Sequence, residues 1–169
     1  IVEPAPALRY EGTDAFGNPV VILDIEVPHR ELIVLARSSM TILAPPAFDA
    51  ECGTPWDRFD DSLGCPGDDL DLNVIQYRCA SRHTTANLDI EDYAAVSFLP
   101  GRPVLEAASD LNRRIYDDFT FDATATDLST PITHVLKQRR GVCQDFAHLA
   151  LACLRAMRVP ARYVSGYIL

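Results

Sequence analysis

Residues 143–160 read CQDFAHLALACLRAMRVP, and within them Phe146, Leu149, Ala150, Cys153, Leu154 and Met157 recur at spacings of three and four. That period is one face of an α-helix, and Pro160 cannot continue it. A helix with so wide an apolar stripe must bury it against other elements. The chain is therefore bound to fold around a core, and its 169 residues suffice for one or two domains.

Three further helices supply partners for that stripe. Ile90, Tyr93, Ala94, Ser97 and Phe98 share a face after Asn87, and Pro100-Gly101 ends that segment. Pro103 suits a first helical position, and Val104, Ala108, Leu111, Ile115 and Phe119 then form an inward stripe. Thr130-Pro131 reads as a cap and first position of a short helix with Ile132, Val135 and Leu136 inward. Lys137, Arg139 and Arg140 crowd its last turn, where cations suit the dipole, and Gly141 is expected to close it. The final ARYVSGYIL reads as a strand.

The first 48 residues differ in texture. PVVILDIEV and ELIVLARSSMTIL are rich in Val, Ile and Leu, separated by Pro28-His29-Arg30, and read as antiparallel strands. Asp14-Ala15-Phe16-Gly17-Asn18 carries turn chemistry ahead of them. The expected organisation is a partial β domain over 1–48, an acidic linker or surface loop over 49–86, and a second domain over 87–169. The fold class is α+β.

Charge and cysteines narrow the function. A net charge of −9 disfavours nucleic acid, whose affinity comes from Lys and Arg neutralising phosphates, and disfavours an anionic membrane surface. No apolar run approaches the roughly 20 residues of a membrane-spanning helix. Neither a signal-peptide pattern nor an initiating Met stands at the start. The five cysteines include no C-x-x-C pair, so no zinc site is expected; Cys79 and His83 lack a second pair. Cys52 and Cys65 flank a loop that an oxidising compartment would let them bridge, but the odd count points to reduced thiols and a cytoplasmic location. FDAECGTPWDRFDDSLGCPGDDLDLN holds eight acidic residues against one Arg. Its Asp69-x-Asp71-x-Asn73 opens like a calcium loop, but Val74 and Ala80 stand where Gly and Glu are required. No metal and no cofactor is expected.

Cys143 is the candidate for chemistry. At a helix start, unpaired N–H groups and the positive dipole end favour a thiolate, and Arg139 and Arg140 upstream add positive potential. Asp145 opposes it. The N–H of Cys143 also points where an oxyanion would develop. The alternative is packing: 143, 146, 147, 150, 154 and 157 fall on one face, and buried free cysteine is common. Cys153, mid-stripe, reads as core. A nucleophilic Cys needs a base. His148 lies five residues on, about 500° of helical rotation or 140° around the axis, so it faces away. It is expected instead to pair locally with Asp145. His134, His29 and His83 lie in other segments.

The segment GVCQDFAHLALACLRAMRVPARYVSGYIL resembles the heart of the bacterial transglutaminase-like proteins, many of them described as cysteine proteases. The likeness extends through DAFGNPV, VPHRELIVLARSSM and SDLNRRIYDDFTFDATATDLSTPITHVLKQRR. It implies a small β domain followed by the helical first half of a transglutaminase-like core, papain-like in layout, ending in a strand. It implies that Cys143 matches the catalytic cysteine. The family's His and Asp follow on strands after the one matching Ala161–Leu169, so the core is expected to lack its C-terminal part and the 169-residue chain to be inactive. Arg158 stands where the family commonly has Gly, a strain of roughly 1 kcal/mol if that position is left-handed. The expected activity is acyl transfer, or amide and peptide hydrolysis, on a protein or peptide substrate, with no nucleic-acid or membrane partner. The alternative is a non-catalytic interaction or scaffold module. An unpaired strand edge would favour self-association.

Overall fold

The computed structural model describes residues 1–43, 49, 53–58 and 72–166, the side chains of 72 and 73 excepted. The chain divides into two compact units, Ile1–Pro46 and Ala47–Leu169. Cys52, Cys65 and the Asp69–Asp71 start of the calcium-like pattern lie outside the described residues.

The first unit is built from two antiparallel ribbons. Strand β2 (Leu8–Thr13) pairs with β3 (Pro19–Asp24), Leu8 opposite Asp24 and Thr13 opposite Pro19. The turn between them is held by Asp14, whose Oδ1 accepts from the N–H groups of Phe16 and Asn18, both at 2.8 Å. Gly17 takes φ +83°, which it tolerates for want of a Cβ. Strand β1 (Val2–Glu3) pairs with β4 (Ile33–Val34). The expected strand over 31–43 thus shrinks to two residues, because β1 offers an edge only two residues long. None of the described residues of this unit is buried.

The second unit holds the core. After a short helix α1 (Leu72–Ile75), α2 (Leu88–Ala95) is capped by Asn87, whose side chain accepts from the Ile90 N–H at 3.2 Å. It buries the expected Ile90, Tyr93, Ala94, Ser97 and Phe98. Helix α3 (Val104–Asp118) buries Ala107, Leu111 and Ile115, with Phe119 just past its end; Ala107 takes the deep position expected of Ala108. Helix α4 (Ile132–Gln138) turns Ile132, Val135 and Leu136 inward. Helix α5 (Cys143–Ala156) packs against all three, with Leu149, Ala152 and Cys153 fully buried. Burial pushes the Cys153 thiol up to about 12, and its Sγ lies 3.9 Å from the Ile90 carbonyl, so it is a core residue. Strand β5 (Thr120–Phe121) and strand β6 (Arg140–Gly141) form a short parallel pair. Residues Thr54–Arg58 lie on the α2–α3 turn: the Trp56 indole N–H donates to the Leu99 carbonyl at 2.8 Å, and its ring meets Phe98 edge-on at 5.5 Å.

Three element ends depart from expectation. Residues 161–166 make no strand ladder; the N–H of Ala161 reaches the Tyr77 carbonyl and its carbonyl takes the Arg155 guanidinium. A strand needs a neighbouring edge, and none of the described residues supplies one. Helix α4 is closed by Arg139 at φ 55°, not by Gly141, which lies in β6. Thr130 does not cap α4: its hydroxyl donates to Asp127, and Pro131 occupies the cap one residue later than expected.

The exit of α5 does follow expectation. Arg158 has φ 59°. The Val159 N–H reaches the Leu154 carbonyl and the Arg158 N–H the Arg155 carbonyl, both at 2.9 Å. This is the reciprocal C-terminal motif that places a left-handed residue after the helix, usually glycine. Arg158→Gly is expected to raise stability by about 1 kcal/mol, read as a higher urea midpoint with unchanged slope.

Candidate active site

The site is assembled by the chain's path from α4 into α5. Arg139 makes the left-handed turn, and its guanidinium sits over the rings of Tyr93 and Phe119, 4.8 Å from each centroid. Its Nη1 lies 3.6 Å from the Asp118 carboxylate. Asp118 also accepts the Tyr93 hydroxyl at 2.9 Å; burial first, and then this bond, drive the phenol's pKa upward. The cost of a left-handed arginine is thus met by two ring contacts and an ion pair. The Arg139 carbonyl then accepts from the Thr120 N–H, and the Gly141 carbonyl from the Asp122 N–H, both at 2.9 Å. These bonds set β6 beside β5 and deliver Val142 in extended conformation as the residue before α5.

At the helix start, Asp145 occupies the third position and is buried. Its Oδ2 accepts the Val142 N–H at 2.8 Å and the Thr126 hydroxyl at 2.6 Å. Gly141 is buried directly against it: a Cβ there would lie 2.7 Å from the same Oδ2. No side chain fits at 141, which explains that glycine better than helix closure does. Val142 has no side-chain acceptor, so the cap is one-sided, supplied from inside the helix by Asp145.

Cys143 is the first residue of α5, exposed and unoxidised. By helix geometry the N–H groups of 143, 144 and 145 have no carbonyl four residues back within the helix. The apolar stripe runs past Cys143 without covering it: Leu149, Ala152 and Cys153 take the buried positions, while Phe146, Ala150, Leu154 and Met157 are partly buried. No described side chain hydrogen-bonds the Cys143 thiol. The arginines expected to add positive potential are engaged elsewhere, Arg139 as above and Arg140 3.7 Å from Asp122. The Thr124 backbone N–H, with the Thr124 hydroxyl after it, holds the Asp122 carboxyl below its usual range.

The expected Asp145–His148 pair does not form, because Asp145 is committed to Val142 and Thr126. His148 is stacked instead on His83, ring centroids 5.2 Å apart and planes 10° off parallel, with Tyr163 at 5.5 Å. Arg155 fastens the same two segments, donating to Thr84 Oγ1 at 2.8 Å and to the Ala161 carbonyl. His134 is exposed on α4, and His29, in the first unit, contacts the Val27 carbonyl at 2.8 Å. Thr126 and the left-handed Arg139 escaped the sequence reading.

Burial first, and the His83 charge second, hold the His148 pKa below its usual 6.5. Its neutral form is favoured in the fold, so below that value the unfolded chain binds more protons. The stabilising contribution is complete above pH 6.5 and is lost as pH falls through the lowered folded value. Melting temperatures taken between about pH 5 and 7.5 should fall more steeply toward acid in the parent than in His148→Phe.

The second unit is a mixed α+β core with an exposed cysteine opening its central helix. Residues 93–169 match the family described as the transglutaminase-like superfamily. Uncharacterized proteins of Mycobacterium tuberculosis and Mycobacterium bovis are 41% identical over 175 residues, covering 99% of this chain and 52% of theirs. One from Mycobacterium leprae is 32% identical, covering 99% and 57%. A solved structure from Cytophaga hutchinsonii, described as a "Putative Cysteine Protease", superimposes with a TM-score of 0.56 at 19% identity, over 95% of this chain and 52% of that one. At that identity it shows the fold alone. The chain spans about half the length of the curated relatives it matches.

Proposed function

We propose that Cys143 is the nucleophile of a thiol enzyme acting by acyl transfer on a carboxamide or peptide bond of a protein or peptide. The observation that carries this reading is the placement of Cys143: an exposed thiol at the first position of a 14-residue helix whose far end is locked in the core. The helix N–H groups favour the thiolate. The thiolate attacks the carbonyl carbon, and negative charge moves to the carbonyl oxygen, where the Cys143 N–H can donate to it. Collapse expels the amine, protonated by a general acid, and leaves a thioester on Sγ. Water or a lysine amine then attacks that thioester, loses its proton to the same group acting as base, and frees the thiol. Histidine is the side chain suited to that exchange, oriented by an aspartate. No described histidine contacts the thiol, so we assign both groups to the part of the relatives' length that this chain does not span.

Exposure of Cys143 speaks against a purely packing role, and with it against the scaffold alternative. No described helix is long and apolar enough to cross a membrane. The odd count of five cysteines supports the cytoplasmic location proposed for the protein.

Cys79 is also an exposed, unoxidised thiol, which makes it an internal reference. In limiting iodoacetamide near pH 6.5, Cys143 is expected to be alkylated about tenfold or more faster than Cys79, by peptide mass spectrometry. Equal rates would remove the nucleophile reading. The isolated chain is expected to hydrolyse no amide substrate; turnover lost on Cys143→Ala would mean that a base is already present within it.

A further inference from the structure

We propose that Thr126 and Asp145 are positioning residues for the Cys143 thiol, an inference that rests on the nucleophile reading above. A cap alone does not explain what Asp145 does. The bond from the Val142 N–H fixes the residue before the helix, and α5 is secured by its buried face. Yet a hydroxyl reaches in from 19 residues upstream to make a 2.6 Å bond to the same oxygen. Thr126 is half-buried in the loop between β5 and α4.

The loop that carries Thr126 is stiffened from within. Asp122 accepts from the Thr124 N–H at 2.9 Å and hydroxyl at 2.8 Å, and Asp127 from the Ser129 N–H and hydroxyl at 2.8 and 2.7 Å. It acts as a strut, with Thr126 between two self-bonded turns. At the other side Gly141 leaves no spare room, so Oδ2 is held from three directions. This has two consequences for a thiol two residues away. The Val142 N–H, and with it the first turn, is fixed in orientation. The negative charge that would oppose a thiolate is drawn toward the hydroxyl and the amide by charge-assisted bonds.

Thr126→Val removes the donor at nearly constant volume, and Thr126→Ser keeps it. We expect the ratio of Cys143 to Cys79 alkylation to fall about fivefold in the Val variant, as the loss of one charge-assisted hydrogen bond implies, and to return within about twofold in the Ser variant. Exchange of the Val142 amide hydrogen should speed up in Val and not in Ser, with all three proteins melting cooperatively. A Val variant whose ratio equals the parent's, or a Ser variant that fails to rescue it, overturns the positioning role. A parent in which Cys143 reacts no faster than Cys79 overturns the nucleophile reading first and this proposal with it, so the two failures are distinguishable.

Discussion

A single carboxylate oxygen joins three parts of the second unit. Asp145 Oδ2 receives the amide that precedes α5 and a hydroxyl from the β5–α4 loop, and it lies against a glycine of β6. Burying a carboxylate is unfavourable unless its charge is met by donors, and here the helix N-terminus adds its own dipole to the two bonds. Because the acid sits on the helix whose start it caps, the geometry of the first turn and the satisfaction of the charge become one condition. The helix cannot fray there without exposing an unpaired buried acid.

Left-handed arginines stand at two of the chain's sharpest reversals, and they are held differently. Arg139 is compensated by its side chain, stacked on Tyr93 and Phe119 and paired with Asp118. Around Arg158 the two reciprocal backbone bonds are those that a glycine at this position makes. The first reversal aims the chain at Cys143; the second turns it away after the core has been made. Side-chain compensation at 139 couples the aim of the site to the α2–α3 packing, through Tyr93 and Phe119.

Much of the helical core was legible because burial and periodicity coincide there. Ile90, Leu111, Val135, Leu149 and Cys153 are all fully or almost fully buried, and all follow from 3.6-residue spacing. The β elements were less legible. Apolar runs such as 31–43 and 161–166 have strand composition, but a strand is defined by its neighbour, and composition does not name the neighbour. At the site, Cys143 was visible from its place before the stripe. Thr126 was not, since a contact between a loop threonine and an acid 19 residues away leaves no periodic trace. Helical rotation turns His148 away from Cys143, and its partners, His83 and Tyr163, come from segments whose positions no local rule supplies.

The separation into two units bears on what the site requires. The contacts of Asp145 at the start of α5 are drawn from β6, the loop before α4 and α5, all within Ala47–Leu169, and so is every buried residue among those described. Among its described residues the first unit offers ribbons without a buried one, and two-stranded ribbons are marginal alone. Packing energy and site geometry therefore reside in the same helices. Anything that loosens α5 against α2, α3 and α4 reaches the thiol directly, since the helix that fills the core is also the one that presents Cys143 to solvent.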